Sequence, residues 1–325
     1  MEFLQPRSLS EALALKSEHP AAMPVAGGTD VMVEINFDAR RPEALLDLNQ
    51  VAELTRWAPD GDLLRIGAGV TYARIIGELG PQLPGLAMAA RTVGSPQIRN
   101  RGTMGGNLGA ASPAGDCHPV LLACGAVIEA TSVRGTRQIP AAGFYTGPKR
   151  NALAADELIT AVLIRPATGA QQFAKIGTRN AMVIAVCAFA LDLRPPQSPG
   201  AIAQLTRSSE VNHAIDQAGN QAGNRAGNPA GNRAGIGTGI GSAGPTPLRA
   251  VEAEEFLAGE LDGRWNEPGP LPDTVTRRFG ELVAGAARPI DDVRGTAAYR
   301  RHALSVLARR TLTWTWDARG NRQCA

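Results

Sequence analysis

Apolar and polar positions follow two rhythms along this chain. Near the N-terminus, Leu9, Ala12 and Leu13 fall on one face of a helix. Ser8, with Glu11 three residues on, gives that helix a capping box. Short apolar runs at Ala22–Ala26 and Ala44–Leu48 read as strands, so residues 1–50 make a compact β-α-β start. Leu63–Ile66 reads as a further strand, Gly67 and Gly69 punctuate a turn, and Thr71 caps a helix through Leu79. Pro119–Ala130 and Glu157–Ile164 return to apolar runs suited to sheet and helix. Towards the C-terminus, Val275, Phe279, Leu282 and Val283 repeat at helical spacing. Tyr299, Ala303, Val306 and Leu307 do the same behind Thr296 as N-cap, and both stripes read as core faces.

Two stretches break these rhythms. Thr92–Asp116 is dominated by Gly, Asn, Ser and Pro and predicts an ordered loop rather than regular structure. Residues 216–244 repeat Ala-Gly-Asn at 218, 222, 226 and 230 and end in a Gly-Ile-Gly-Thr-Gly-Ile-Gly run. So glycine-rich a segment buries too little apolar surface to offset an ordering entropy of ~1–2 kcal/mol per residue, and a mobile surface insertion is expected.

Composition narrows the function classes. The 325 residues are 44% apolar, enough for two or three compact units, and a net charge of +3 without a basic stripe argues against nucleic acid. No run approaches the ~18 apolar residues of a membrane span. The N-terminal Met-Glu-Phe-Leu-Gln-Pro-Arg lacks the apolar core of a secretory signal, so a cytoplasmic location is the expectation. Cys117, Cys124, Cys187 and Cys324 show neither CxxC pairing nor metal-ligand spacing with the four histidines, which predicts free thiols and no metal or iron–sulfur cluster on this chain.

The chemistry concentrates in two glycine-rich segments. Val25-Ala-Gly-Gly-Thr-Asp30 places two glycines directly after a strand, where successive backbone N–H groups form an anion-binding concavity. An inward carboxylate at Asp30 would repel phosphate, so it is expected to turn to the backbone, a ribose or another donor. Alone, this motif fits a ligand-free turn equally well. The second segment runs from Ser95 to Asp116. Gly102, Gly105 and Gly106 let its backbone wrap a ligand, Thr103, Asn107 and Ser112 supply neutral donors, and Arg99 and Arg101 are available to neutralise charge. Neither segment is a GxGxxG or GxxxxGK[ST] fingerprint, so a nicotinamide-type Rossmann site is disfavoured.

These motifs, with Phe144–Gly147, Asp156–Ile159, Phe173–Arg179 and Arg288–Arg301, resemble the medium, FAD-binding subunit of the molybdenum hydroxylases, the xanthine dehydrogenase and carbon monoxide dehydrogenase family. The resemblance spans nearly the full length apart from the insertion. It implies an α+β chain: two N-terminal α/β FAD-binding subdomains of the PCMH/VAO type, at about 1–57 and 58–170. A C-terminal domain of a small antiparallel sheet with helices follows at 171–315, then a tail at 316–325. It implies FAD contacts at Val25, Ala26, Gly27, Gly28, Thr29, Asp30 and Val31, and at Ile98, Gly102, Thr103, Gly105, Gly106, Asn107, Gly109, Gly115 and Asp116. Ile159 would pack near the flavin or adenine system, and Lys175 would lie beside the isoalloxazine, where a cation offsets charge on reduced flavin.

The resemblance further implies a large subunit with the molybdenum cofactor, a small [2Fe-2S] subunit, a dimer of heterotrimers, and electrons passing through this flavin to an external acceptor. It also leaves Gly235–Gly241, where the family has a strand, poorer in strand formers than expected, which puts the edge of the C-terminal sheet in question. A self-contained FAD-dependent oxidase or reductase stays open, with His118 its nearest acid–base candidate, and so does a non-catalytic assembly subunit.

Overall fold

The computed structural model describes residues 1–196, 235–266 and 269–322. Of the glycine-rich segment at 216–244, residues 216–234 lie outside them, as do His213 and Cys324.

The N-terminal unit is a parallel sheet of β1 (Glu2–Leu4), β2 (Met23–Val25) and β3 (Ala44–Asp47), in the order β1-β3-β2, crossed by α1 (Leu9–Glu18) and α2 (Val31–Asn36). The Ser8 cap forms as expected, its hydroxyl accepting from Glu11 N at 3.2 Å. The carboxylate of Glu11 accepts from Arg7 N at 2.7 Å, so the reciprocal bond lands one residue earlier than a strict capping box. Ala12, Ala22, Leu46, Val51 and Leu54 form the small core of this unit.

A five-stranded antiparallel sheet follows, in the order β4-β5-β10-β6-β7. Its strands are β4 (Trp57–Asp60), β5 (Leu63–Gly67), β6 (Val127–Ser132), β7 (Gly135–Pro140) and β10 (Leu158–Ile164), the last buried along its whole length. The helices between its strands are α3 (Tyr72–Glu78), α4 (Pro84–Thr92), α5 (Pro96–Arg101), α6 (Met104–Ala110), α7 (His118–Ala123) and α8 (Ala141–Phe144); α6 and α8 lie against this sheet, whereas α4 and α7 lie against the C-terminal one. A hairpin of β8 (Tyr145–Gly147) and β9 (Arg150–Asn151) lies beside α6. Thr71 caps α3, as its position predicts.

The C-terminal unit is the antiparallel sheet β11 (Ala170–Ile176), β12 (Cys187–Arg194) and β13 (Gly235–Gly241), with α9 (Val251–Leu261), α10 (Asp273–Ala286) and α11 (Ala297–Arg322). Thr296 accepts from Tyr299 N at the start of α11. In the signature Arg288–Arg301, Arg300 is buried, donates to Ser242 O at 2.6 Å and pairs with Asp292, so this motif is structural.

Two expectations are corrected. Thr92–Asp116 is not an irregular loop but carries α5 and α6, each opened by a hydroxyl cap, Ser95 to Ile98 N and Thr103 to Gly106 N. Gly235–Gly241 is not part of a structureless insertion but a full strand paired with β12 along its length. Its glycines are packing requirements: a Cβ at Gly237 would overlap the carbonyl of Ala123, and one at Gly239 that of Pro119. Removing those side chains lets β13 lie against α7. Among the described residues no helix is long and apolar enough to cross a membrane, and no group of His, Cys, Asp and Glu could hold a metal ion.

Candidate functional site

A cavity of about 850 Å³ opens between the two N-terminal sheets and is lined by both glycine-rich segments. Strand β2 delivers the first. Val25 is buried in the sheet and does not line the cavity; Ala26, Gly27, Gly28, Thr29, Asp30 and Val31 do. Asn49 Nδ2 holds the Ala26 carbonyl at 2.8 Å, and Gly28 adopts φ +74°, a left-handed turn that glycine takes without strain. The chain then enters α2. The N–H groups of Gly27, Gly28 and Thr29 find no acceptor among the described residues, so this turn presents a row of free donors. Asp30 is exposed with no partner among the described residues; of the destinations expected for its carboxylate, the backbone is not used.

The second segment is built differently. Met104 N donates to Val70 O (3.3 Å), Gly105 N to Ala68 O (2.9 Å), Gly106 N to the Thr103 hydroxyl (3.0 Å) and Asn107 N to Thr103 O (3.1 Å). The first-turn donors of α6 are therefore engaged within the protein. Its glycines serve packing and space instead. A Cβ at Gly105 would lie 2.5 Å from Ala68 Cβ, whereas one at Gly106 would meet only the Thr103 hydroxyl, at 3.1 Å, and one at Gly109 nothing. Gly27 joins the segments, since a Cβ there would overlap the Arg101 carbonyl.

Ile98, Gly102, Thr103, Gly105, Gly106, Asn107, Gly109, Gly115, Asp116 and Ile159 all line the cavity. Three buried polar atoms on lining residues have no partner among the described residues: Asn107 Oδ1, Asp116 Oδ1 and the Tyr72 hydroxyl. Such an atom costs about 1–3 kcal/mol when left unpaired, so together with the free donors of 27–29 they mark where a polar ligand completes the structure. Arg101 lines the cavity without a partner among the described residues. Arg99 instead donates to Val93 O (3.0 Å) and Gly94 O (2.9 Å) and faces a second cavity.

Lys175 lies behind the main cavity rather than on its surface. Its Nζ donates to Asp116 Oδ2 at 2.7 Å and to Thr92 O at 3.0 Å, with side chains only 8% (Lys175) and 10% (Asp116) exposed. Burial pushes the Asp116 carboxyl above its ordinary pKa, while the neighbouring ammonium pulls it back. Lys175 therefore fixes Asp116 with one oxygen towards β11 and the other unpartnered.

His118 is excluded from this chemistry. It is fully buried, absent from the cavity lining, and donates from Nε2 to Asn107 O at 3.2 Å. Burial lowers its pKa to about 4, and its ring packs against Tyr145 at 4.8 Å. The sequence reading missed the rim formed by Met182, Val183 and Ile184, of which Met182 and Ile184 are strongly exposed. Nothing in the local sequence marks these three apolar residues as an exposed rim.

Comparison with known proteins gives this geometry a family. Residues 1–167 match the FAD binding domain in molybdopterin dehydrogenase, and residues 230–315 match the CO dehydrogenase flavoprotein C-terminal domain. The chain is 39% identical over 194 residues to the nicotinate dehydrogenase FAD-subunit of Eubacterium barkeri, covering 57% of this chain and 66% of the relative. It is 28% identical over 323 residues to the xanthine dehydrogenase FAD-binding subunit of Escherichia coli O157:H7, covering 97% and 96% of the two chains. The match thus spans just under two thirds of the nicotinate relative and 59% of the nicotine 6-hydroxylase medium subunit of Paenarthrobacter nicotinovorans, but nearly all of the xanthine one. Among solved structures, reconstituted CO dehydrogenase from Oligotropha carboxidovorans contains a chain that superposes with a TM-score of 0.79 at 26% identity over 98% of each chain. A match over half of its length, in the domain that carries the cavity, shows that this chain belongs to the FAD-binding flavoprotein family of the molybdopterin dehydrogenases.

Proposed function

We propose that this chain is the FAD-binding, electron-transfer subunit of a molybdenum hydroxylase complex. A large partner would hold the molybdenum cofactor and a small partner the [2Fe-2S] clusters, in a dimer of heterotrimers, and an external acceptor would take the electrons. The observation that carries the reading is the meeting of free N–H donors at Gly27–Thr29 with the unpartnered Asn107 Oδ1 and Asp116 Oδ1 around one cavity. That set suits a ligand with phosphate at one part and hydroxyl or N–H donors at another. Bound FAD supplies the one- and two-electron redox chemistry, and the protein supplies position and electrostatics.

The residues divide the work by chemistry. The Gly27–Thr29 amides donate to phosphate oxygens, and the guanidinium of Arg101 offsets phosphate charge. Asn107 and Asp116 accept from ligand hydroxyls or N–H groups, and the Lys175 ion pair keeps Asp116 in place. Ile159 and the rim of Met182–Ile184 shed water from the ring system. With His118 buried and withdrawn from the cavity, no histidine among the described residues stands ready to move a proton to or from an organic substrate at this site.

Copurification tests the proposal. The tagged chain is expected to bring down two partners carrying molybdenum and iron, with about one FAD per chain. Isolated chain whose flavin is rapidly bleached by an organic substrate such as hypoxanthine or nicotinate without partners would show a self-contained oxidoreductase instead.

A further inference from the structure

On the far side of the Lys175–Asp116 pair lies a second cavity of about 390 Å³, bounded by the end of α4, by α5, and by β11 with the loop after it. Among the described residues four cationic side chains line it, Arg91, Arg99, Lys175 and Arg179, and no carboxylate does. Arg91 is exposed and has no partner among the described residues. Arg99 is held through Nη1 by the carbonyls of Val93 and Gly94, which fixes the plane of its guanidinium while Nε and Nη2 stay free. Arg179 bonds the carbonyls of Ala181 and Met182 and so shapes its own loop. The apolar part of the wall includes Met88 and Phe173.

We propose that this cavity binds a phosphate-bearing small molecule of the nucleotide type. Lys175 is balanced by Asp116, but Arg91, Arg99 and Arg179 have no carboxylate partner among the described residues; these like charges repel one another, and an anion relieves that repulsion. Guanidinium forks match phosphate oxygens two at a time, and Arg99 is already oriented to do so. The Met and Phe surfaces give a flat base an apolar seat. The site also communicates with the first cavity. Lys175 faces the new site while its partner Asp116 faces the other, and Gly94, Met182 and Val183 line both. An anion drawing on Lys175 changes the field at Asp116, so ligand binding perturbs the visible spectrum of the flavin. The binding site stands independently of the flavin assignment; only this spectral coupling rests on it.

Calorimetric titration of the purified complex at low ionic strength, with AMP and with inorganic pyrophosphate, tests the proposal. Saturable binding of either probe, weakened about tenfold by Arg91→Ala as expected for one lost charge-assisted contact, supports it. Binding of both identifies phosphate alone as sufficient; binding of AMP alone shows that the base is required. Arg91 is exposed and unpaired, so its variant folds and retains its flavin content. Absence of saturable binding with both probes, or an affinity that Arg91→Ala leaves unchanged, overturns the proposal. A complex that binds AMP but holds no flavin would overturn only the flavin assignment.

Discussion

The two glycine-rich segments look alike in sequence and are opposites in structure. In Gly27–Thr29 glycine frees the backbone, and the amides meet no acceptor among the described residues. In Met104–Asn107 the amides are engaged by Val70, Ala68 and Thr103, and glycine instead removes side chains, so that α6 lies on Ala68 and leaves the cavity open at 106 and 109. One segment is a cradle of donors and the other a shaped wall carrying side-chain acceptors. Glycine content alone does not separate these roles; what each N–H group bonds to does.

The tail of the wall segment is where the contrast breaks most severely. Lys175→Met leaves Asp116 charged, buried and unpaired, and is expected to lower stability by about 3–5 kcal/mol, read as a fall in the denaturation midpoint. Lys175→Arg keeps the charge and recovers part of it. An equal loss from Asp116→Asn and from Lys175→Met, with no further loss in the double variant, would show that the pair acts as a unit.

The next effect belongs to His118, which braces the same segment through Asn107 O. Unfolded histidine titrates near 6.5, and the folded residue is lowered to about 4. Its contribution is therefore complete above pH 6.5 and lost as pH falls towards 4, about 3 kcal/mol in all. His118→Gln is expected to flatten that slope in stability measured from pH 7 to pH 4; an unchanged slope would show that other groups cause it.

Gly27→Ala attacks the seam between cradle and wall. Overlap with the Arg101 carbonyl forces the segments apart, at about 1–3 kcal/mol of stability and with loss of ligand affinity, checked by denaturation and flavin content. Gly109→Ala, where a Cβ meets no protein atom, is the matched control for stability alone and is expected to be neutral or slightly stabilising in denaturation.

The hydroxyl caps and apolar stripes were legible because their signals are local: Ser8, Thr71 and Thr296 each cap the helix that follows. The helices α5 and α6 were hidden by composition, although Ser95 before Pro96 and Thr103 three residues before Gly106 carried the capping signal. Strand β13 was unreadable because its glycines answer to α7, far away in sequence. In the site, most residues of both segments do come to one cavity, but which amides are free depends on Ala68 and Val70, and Lys175 was placed at the ligand rather than behind Asp116. The rim at Met182–Ile184 escaped for the same reason: exposure is set by tertiary structure, not by residue type.

Flavin stoichiometry in Gly106→Val tests the central claim most directly. A valine there projects into open cavity with only the Thr103 hydroxyl nearby, so the fold should survive while the ligand space is filled. The account predicts about one FAD per wild-type chain and none in the variant, with denaturation midpoints that agree closely once both chains are stripped of flavin, since bound flavin itself raises the midpoint. A variant that keeps its full FAD, or a wild-type chain in its complex that holds none, would contradict it.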